Sequence, residues 1–342
     1  MTVLVTGGAG YIGTHTCVLL LEAGFSVVVA DNFSNSRVEA VNRVERITGK
    51  KIMLYECSLL NEAAVGRIFD ENEIDAVVHF AGLKAVGESV EKPLSYYHNN
   101  ITGTVVLCKA MAEHGVKRIV FSSSATVYGS AERMPLTEEM PLSAANPYGT
   151  TKLIIEMLLR DLYRADGGWS VSILRYFNPV GAHESGLIGE DPLGRPNNIM
   201  PCITRNAVSG LDPDGTPEVL MVFGADYPTK DGTGVRDYIH VLDLAEGHLN
   251  ALNLVSDRKG VFVHNLGSGT GYSVLEILHA FEKVNGVKIR YEIAGRRKGD
   301  VAVCYADTTR ARVELGWSAK RTLEDMCCDA WNWQRKNPKG YC

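Results

Sequence analysis

The stretch that decides the fold reads Thr2-Val-Leu-Val-Thr-Gly-Gly-Ala-Gly-Tyr-Ile-Gly13. Its apolar beginning predicts a buried strand, and Gly7, Gly10 and Gly13 then give the spacing G-x-x-G-x-x-G where a helix begins. Such glycines allow a tight turn, close approach of the backbone to a pyrophosphate, and packing of the helix on the strand. Free N–H groups and the positive dipole end of the helix favour a phosphate there. The stretch therefore predicts the first strand–helix unit of a dinucleotide-binding domain.

An acidic residue stands where the second strand is expected to end. Asp31 lies 24 residues after Gly7, where a carboxylate can accept hydrogen bonds from both ribose hydroxyls. Its negative charge would repel a 2′-phosphate, so NAD is expected rather than NADP. The alternative is that Asp31 only opens the turn Asp-Asn-Phe-Ser-Asn-Ser.

The rest of the first half repeats this alternation of strand and helix. Apolar runs predict strands at 3–6, 27–30, 52–55, 76–80, 118–122 and 171–175, and helical patterns fall between them at 11–23, 36–48, 62–71, 102–114 and 148–165. This alternation predicts an α/β fold, a Rossmann-like doubly wound parallel sheet that binds ligands at the carboxyl ends of its strands. We expect an NAD-binding domain over residues 1–178 and a smaller mixed α/β substrate domain over 179–342, with a segment near 237–260 as a candidate to return to the first. The last clear helical pattern covers 322–336.

Composition restricts the partners. The chain has 342 residues, 45% of them hydrophobic, and a formal net charge of −5, which argues against a general nucleic-acid binder. No apolar run approaches the ~18 residues of a membrane span. The chain opens directly into a strand, and its eight cysteines show no C-x-x-C pair, so we expect a cytoplasmic protein with reduced cysteines and no metal site.

The chemistry is predicted from two segments. Tyr148-Gly-Thr-Thr-Lys152 places a phenol and an ammonium on one face of a helix. Nearby positive charges stabilise a phenolate, so Tyr148 could act as a base near neutral pH. The strand ending at Ser122-Ser-Ser-Ala-Thr-Val-Tyr-Gly129 brings Ser124 to the expected ligand edge, where it can hydrogen-bond the same substrate oxygen.

Together these features resemble the extended short-chain dehydrogenase/reductase superfamily, and within it the family of UDP-glucose 4-epimerases. The resemblance runs over almost the whole chain. Its specific segments are residues 79–89, 122–129, 175–182, 197–201 and 231–240.

The resemblance implies a reaction and three catalytic residues. Tyr148 would remove the proton of the sugar 4-hydroxyl, Ser124 would hold that oxygen, and Lys152 would bind the nicotinamide ribose and lower the pKa of the tyrosine. Hydride would pass from sugar C4 to NAD, and the resulting 4-keto sugar would rotate about its link to the diphosphate. Hydride would then return to the opposite face of the sugar.

The resemblance also implies two sets of binding residues. The cofactor set is Gly7, Gly10, Tyr11, Ile12, Gly13, Asp31, Asn32, Ser58, Leu59, Phe80, Ala81, Gly82, Lys84, Asn99, Ser122, Tyr148, Lys152 and Tyr176. The UDP-sugar set is Lys84, Ser124, Tyr148, Phe177, Asn178, Asn198, Ile199, Phe223, Arg236, Arg297, Asp300 and Cys304. The two arginines suit a diphosphate, since guanidinium groups neutralise and fork onto phosphate oxygens.

Two positions vary informatively within this family. Ser58 stands where members often carry an aspartate that approaches the adenine, so cofactor affinity could differ. Cys304 matches a gate beside the sugar's 2-position, where a bulky tyrosine goes with plain sugars and a small residue with N-acetylated sugars as well. We therefore expect this chain to act also on UDP-GlcNAc and UDP-GalNAc.

Three other functions stay open from the sequence. A nucleotide-sugar 4,6-dehydratase needs an acid/base pair directly after the strand serine, where this chain has Ala125 and Thr126. A net NAD-dependent dehydrogenase would share the tyrosine and lysine, and a non-catalytic NAD sensor would often lose them.

The family usually forms homodimers through two helices of the nucleotide domain, here the helix near 102–112 and the one after Tyr148.

Overall fold

The structure is a computed structural model of the chain, and it describes residues 1–131, 133–194, 196–209, 219–297 and 300–342. Its strands are β1 (Thr2–Thr6), β2 (Ser26–Asp31), β3 (Met53–Glu56), β4 (Ala76–His79), β5 (Arg118–Ser124), β6 (Ser170–Tyr176), β7 (Asn178–Val180), β8 (Leu220–Phe223), β9 (Val235–His240), β10 (Gly260–Leu266), β11 (Gly271–Ser273), β12 (Tyr291–Ala294) and β13 (Val303–Cys304). Its helices are α1 (Tyr11–Glu22), α2 (Val38–Thr48), α3 (Glu62–Glu71), α4 (Val86–Glu91), α5 (Pro93–Tyr96), α6 (Gly103–Glu113), α7 (Pro147–Ala165), α8 (Ile199–Ser209), α9 (Val241–Asp257), α10 (Val274–Asn285), α11 (Thr309–Glu314) and α12 (Leu323–Lys336).

Within the described ranges, one parallel sheet of seven strands forms the body of the molecule, in the order β10-β6-β5-β4-β1-β2-β3. The strand order reverses at β1, so the carboxyl ends of β1 and β4 flank the crevice where such sheets bind ligands. The expected Rossmann-like fold class is confirmed, and each of the six predicted strands is present.

Both faces of this sheet are covered, which explains why its strands read as continuous apolar runs. Side chains alternate between faces, so Val3 and Val5 of β1 join the core beneath α1, α2 and α9, while Leu4 joins the opposite core beneath α3, α6 and α7. The site therefore rests on a sheet that is packed from two sides.

The seventh strand comes from beyond the expected domain boundary. β10 pairs with β6 along its whole length, from Gly260 opposite Ser170 to Leu266 opposite Tyr176, and α9 packs on α1. The chain thus returns to the large sheet after residue 240, while the division at residue 178 stays a prediction.

Smaller sheets form the remaining part. β9 pairs with β7, β11 and β13, while β8 pairs with β12. α8, α10 and α12 bury a third apolar cluster that includes Ile203, Ile277, Phe281 and Met326.

One stretch departs from the predicted helix near 102–114. The helical path begins earlier, with α4 and α5 followed by a π-helix over Tyr97–Thr102 that leads into α6. Pieces of four to six residues are too short to show a helical period in the sequence, which is why they were not expected. Nowhere in the parts of the chain that the structure describes is a helix long and apolar enough to cross a membrane.

Candidate active site

The glycine loop leaves no room for side chains. Gly7 has φ +70°, and a Cβ there would lie 2.8 Å from the backbone nitrogen of Ala81. A Cβ on Gly13 would lie 2.5 Å from the carbonyl oxygen of Gly7. Ala81 itself follows β4 and donates its N–H to the carbonyl of Thr6 at 3.1 Å. Two strand ends and the start of α1 therefore meet with only backbone between them, as a pyrophosphate site requires.

The first turn of α1 keeps its positive end. Gly10 is the N-cap residue and no acidic side chain lies in that turn, so the dipole end remains available for an anion. Ile12 packs against the core. Tyr11 donates its hydroxyl to the carbonyl of Gly181 at 2.6 Å, which ties the loop to the segment that carries the expected substrate residues.

Asp31 ends β2 with its carboxylate buried against the glycine loop. It accepts from the Ala9 N–H at 3.0 Å, from the Phe33 N–H at 2.9 Å and from the Ser36 hydroxyl at 2.8 Å. A carboxylate offers about four lone-pair positions, so about one is left for a ribose hydroxyl. Asn32 is exposed in the following turn and accepts from the Ser34 N–H.

Ser58 and Leu59 lie just past β3, beside the end of β2. The Ser58 hydroxyl accepts from the Leu60 N–H at 3.2 Å, so it already caps its own turn. Leu59 packs against the core beneath α6. Cys57 donates its N–H to the carbonyl of Asp31 at 3.0 Å, which brings this turn to the expected adenine end.

The turn after β4 carries the next expected residues. Phe80 stacks on His248 of α9 at 4.7 Å between ring centroids, and Gly82 lies against the side chain of Asn100. Asn100 is buried and binds both the N–H and the carbonyl of Leu83, at 2.8 and 3.0 Å. The predicted Asn99 only donates to Asn100. Sequence reasoning missed Asn100 as the residue that shapes this turn, since two adjacent asparagines look alike.

The structure brings the three expected catalytic residues together. Ser124 ends β5, and its hydroxyl lies beside Tyr148 in the first turn of α7. The same hydroxyl accepts from the N–H and the hydroxyl of Thr126, at 3.2 and 3.0 Å. Lys152 is buried one turn further along, 5.9 Å from the centroid of the Tyr148 ring, and its ammonium donates to the carbonyl of Ser122 at 2.6 Å. The Ser122 hydroxyl in turn hydrogen-bonds the Tyr176 hydroxyl at the end of β6.

Burial works against the proton chemistry expected of this pair. It raises the pKa of Tyr148, and the adjacent Ser124 hydroxyl acts in the opposite direction. It lowers the pKa of Lys152 to about 7. Burial within the chain therefore favours a neutral phenol, and the expectation that Lys152 lowers the tyrosine pKa stays a prediction. A further positive charge against the phenol is needed, and an oxidised nicotinamide ring carries one.

The expected nucleotide-sugar residues form a second cluster. Arg297 donates to Asp300 at 3.0 Å and lies over the Phe223 ring at 5.0 Å. Arg236 approaches the same carboxylate at 3.9 Å, and its guanidinium donates to the carbonyls of Val235 and Val301 at 2.9 and 2.8 Å. Two arginines, one aspartate and one exposed ring from three chain segments thus meet, as a flat base and a diphosphate require.

The remaining expected substrate residues lie between these clusters. Phe177 is buried beside the end of β10, and Asn178 opens β7 with its side chain exposed. Asn198 precedes α8, which begins at Ile199, and donates to Glu190 at 2.7 Å. Cys304 pairs with Arg236 across β13 and β9 and packs against the apolar cluster that includes Phe177 and Ala125.

Two buried networks behind the site were not predicted. Glu156 of α7 pairs with Arg175 of β6 through two hydrogen bonds of 2.9 and 2.6 Å, and it accepts from the Ser123 hydroxyl at 2.6 Å. His79 of β4 hydrogen-bonds Thr6 at 2.7 Å and Thr104 of α6 at 2.9 Å. Each partner is distant in sequence, so no local pattern announces these pairs.

Known proteins and a family model match this chain over nearly its whole length. A family model described as GDP-mannose 4,6 dehydratase matches residues 4–330. The UDP-glucose 4-epimerase of Bacillus subtilis is 62% identical over 341 residues, 100% of this chain and 99% of that protein. The crystal structure of UDP-glucose 4-epimerase from Bifidobacterium longum, in complex with NAD⁺ and UDP, superposes with a TM-score of 0.95 at 55% identity, covering 99% of this chain and 100% of that one. The UDP-Glc/GlcNAc 4-epimerase from Campylobacter jejuni gives a TM-score of 0.83 at 35% identity, covering 98% and 99%.

A parallel sheet that ends in a glycine loop, with a serine and a Tyr-x-x-x-Lys helix beside it, defines an NAD-dependent enzyme of the short-chain dehydrogenase/reductase class. The family model carries the name of a dehydratase, but Ala125 and Thr126 follow Ser124 here, and neither can exchange the protons that a dehydration needs. With full-length relatives of this identity, the chain belongs to the UDP-glucose 4-epimerase family.

Proposed function

We propose that this protein interconverts UDP-glucose and UDP-galactose by inverting the sugar at C4, with one NAD retained through many turnovers. The observation that carries the proposal is the grouping of Ser124, Tyr148 and the buried ammonium of Lys152, which lies 5.9 Å from the centroid of the Tyr148 ring. The full-length relatives and the neighbour crystallised with NAD⁺ and UDP support it.

The residues of the glycine loop fit NAD. Its cradle would be filled by any Cβ at Gly7 or Gly13, the first turn of α1 has no acidic side chain, and Asp31 keeps an acceptor position for the ribose. When bound, NAD would accept a hydride from sugar C4 and return it to the same carbon.

The chain's own part in the reaction is to move one proton and hold one oxygen. Tyr148 takes the proton of the 4-hydroxyl when C4 is oxidised and gives it back when C4 is reduced. Ser124 donates to that oxygen, and Lys152, fixed on the Ser122 carbonyl at 2.6 Å, binds the ribose that orients the nicotinamide. Because the hydride removed from C4 would return to the same carbon, the reaction needs no net oxidant, and one tyrosine can balance the proton in both directions.

The nucleotide end is held by a different kind of contact. Arg236 and Arg297 both face Asp300, and a diphosphate can draw their guanidinium groups into forked hydrogen bonds. Phe223, whose exposed fraction is 37%, offers a face for the uracil. When UDP is fixed in this way, the sugar remains free to rotate between the two hydride transfers.

An assay without added NAD tests the proposal. Purified protein is incubated with UDP-galactose, and UDP-glucose is followed with a coupled enzyme. Sustained conversion without stoichiometric release of NADH supports an epimerase with retained cofactor, while conversion only with added NAD means weaker retention, for which Ser58 is the first residue to replace. With NAD added, release of NADH in proportion to the UDP-galactose consumed, without formation of UDP-glucose, would favour a net dehydrogenase instead.

A second activity, on UDP-GlcNAc and UDP-GalNAc, follows from Cys304. This small side chain lies between Arg236 and the apolar cluster behind Ser124, so it leaves space beside the sugar for an acetamido group. A solved relative is a UDP-Glc/GlcNAc 4-epimerase. In Cys304→Tyr, we expect the ratio of kcat/KM for UDP-GlcNAc to that for UDP-galactose to fall about tenfold or more, since a bulky ring excludes the larger sugar. An unchanged ratio would remove Cys304 as the gate.

We also propose a homodimer, formed through the face of α4 to α7. Leu94, Val90 and Met157 have exposed fractions of 82%, 59% and 56% on this side, a concentration of apolar surface typical of an interface. Light scattering after chromatography should give twice the chain mass, and Met157→Lys should shift it toward the monomer. We also propose that the protein is cytoplasmic, as expected from the sequence, and cell fractionation would test this location.

A further inference from the structure

Glu190 connects the two sets of expected ligand residues. Its oxygen Oε1 lies 3.4 Å from the Lys84 ammonium and accepts from the Asn198 amide at 2.7 Å. Lys84 follows β4, on the cofactor side, while Asn198 precedes α8, on the substrate side. One carboxylate oxygen thus holds two side chains that come from segments more than 100 residues apart in the sequence.

The carboxylate is held firmly in place. The Glu190 side chain is 8% exposed, and its neighbour Gly189 donates its N–H to the Tyr341 hydroxyl at 3.0 Å. On the other side, Asp191 accepts from the Tyr341 N–H at 3.0 Å. A Cβ on Gly189 would collide with the Trp333 ring. Because the C-terminal segment fixes the backbone on both sides of Glu190, its carboxylate can set the positions of longer, more mobile side chains.

The ion pair itself contributes little to stability. Lys84 is half exposed, with 50% of its side chain accessible, and exposed ion pairs of this kind add little to stability. A negative charge near an expected diphosphate site also opposes substrate binding. We therefore attribute to Glu190 the task of holding Lys84 and Asn198 in place, rather than that of increasing the affinity for the substrate.

We propose that Glu190 is a positioning residue, which holds Lys84 and Asn198 at the border between the cofactor and the UDP-sugar. This inference rests on the proposed function. It requires that loss of the Glu190 charge disturb turnover more than binding, and that this effect pass through Lys84.

A double-mutant cycle tests the proposal. Glu190→Gln keeps an acceptor for Asn198 but removes the charge that holds Lys84, so kcat should fall about tenfold, while the KM for UDP-galactose stays the same or falls. In a Lys84→Met background, Glu190→Gln should change kcat less than about twofold, because the side chain that it positions is gone. Equal fold-losses of kcat in both backgrounds would overturn the proposal, and so would a kcat loss accompanied by a lower melting temperature.

Glu246→Gln is the matched control. Glu246 also pairs with a lysine, Lys320, at 3.0 Å, but touches none of the expected ligand residues, so its kcat should stay within twofold. Binding of UDP alone, measured by calorimetry, gives a readout apart from turnover, and Glu190→Gln should bind UDP at least as tightly as the wild type. If the wild type fails to convert UDP-galactose, the proposed function fails first; if it converts UDP-galactose and the cycle is additive, only the positioning role fails.

Discussion

The cofactor side and the nucleotide-sugar side of this molecule are built by opposite means. Around the glycine loop, backbone meets backbone, and the buried Asp31 already accepts three hydrogen bonds. Around Phe223, exposed side chains pair with one another, and Arg297 keeps 52% of its side chain accessible. The first side is organised before any ligand arrives, whereas the second must exchange its internal pairs for ligand contacts.

This difference suits a reaction in which the cofactor stays and the substrate comes and goes. A preorganised site loses little conformational entropy on binding and so can retain its ligand. A site of self-paired surface charges gives up contacts on binding, which limits affinity and permits release. The following predictions test this contrast.

The largest effect should come from Tyr148, which belongs to both expected binding sets. In Tyr148→Phe, turnover should fall about 1,000-fold or more, because the phenol that moves the proton is lost while the ring still fills its place. NAD content and UDP binding should stay near wild-type values, measured by absorbance after denaturation and by calorimetry. Turnover within tenfold of the wild type would show that another group is the base.

A large loss of stability is expected on the cofactor side alone. Glu156→Gln leaves the Arg175 guanidinium buried, with 1% of its side chain exposed, without its ionic partner. Breaking such a pair typically costs about 3–5 kcal/mol of unfolding free energy, which urea denaturation would measure. Asp300→Asn, which weakens the partly exposed pairs of Asp300 with Arg297 and Arg236 on the other side, should cost less than about 1 kcal/mol. Similar losses in the two variants would contradict the contrast.

The sequence predicted the parallel sheet because it depends on local signals, while the roles of the expected ligand residues stay predictions. Apolar runs, the glycine spacing and the Tyr148-to-Lys152 spacing are all read within about a dozen residues. The strand β10 was missed because its pairing with β6 is set by packing across 90 residues of intervening chain.

The interactions that hold the site could not be predicted for the same reason. Glu156 and Arg175, or Glu190 and Lys84, are ordinary charged residues until the fold brings them together. The pKa of Tyr148 is a clearer case, since the sequence shows the lysine that could lower it but not the burial that raises it.

Acid should weaken the cofactor side before the substrate side. Burial lowers the pKa of His15 and His79 to about 3 and that of His248 to about 4. These groups stay neutral when folded but take up protons near pH 6.5 when unfolded, so stability is present above pH 6.5 and falls as pH drops toward the folded values. Each contributes up to about 2 kcal/mol of loss between pH 6.5 and 5.

Urea unfolding at pH 7 and pH 5 would measure this loss, with His79→Gln as the test variant. Glutamine can keep hydrogen bonds to Thr6 and Thr104 but does not titrate, so the loss of stability between the two pH values should shrink by up to about 2 kcal/mol. If the difference in unfolding free energy between pH 7 and pH 5 is the same in His79→Gln as in the wild type, His79 does not contribute to the loss of stability in acid.

The smallest effect should come from the nucleotide-sugar side, where two adjacent arginines form a natural control. Arg297 pairs with Asp300 and lies 5.0 Å from the Phe223 ring, while Arg296 pairs with Asp226 and lies 4.1 Å from the Tyr227 ring. The two have similar exposure and similar partners, but only Arg297 shares its carboxylate with Arg236.

Arg297→Ala should therefore raise the KM for UDP-galactose about tenfold, which corresponds to about 1.4 kcal/mol, and leave kcat nearly unchanged. The increase should shrink at high salt, because an exposed guanidinium acts on a diphosphate through charges that ions screen. Arg296→Ala should keep KM within about twofold at any salt concentration. Equal changes of KM in the two variants would mean that general positive charge, rather than the cluster around Asp300, attracts the nucleotide. The claim that the nucleotide-sugar side exchanges its internal ion pairs for ligand contacts would then be wrong.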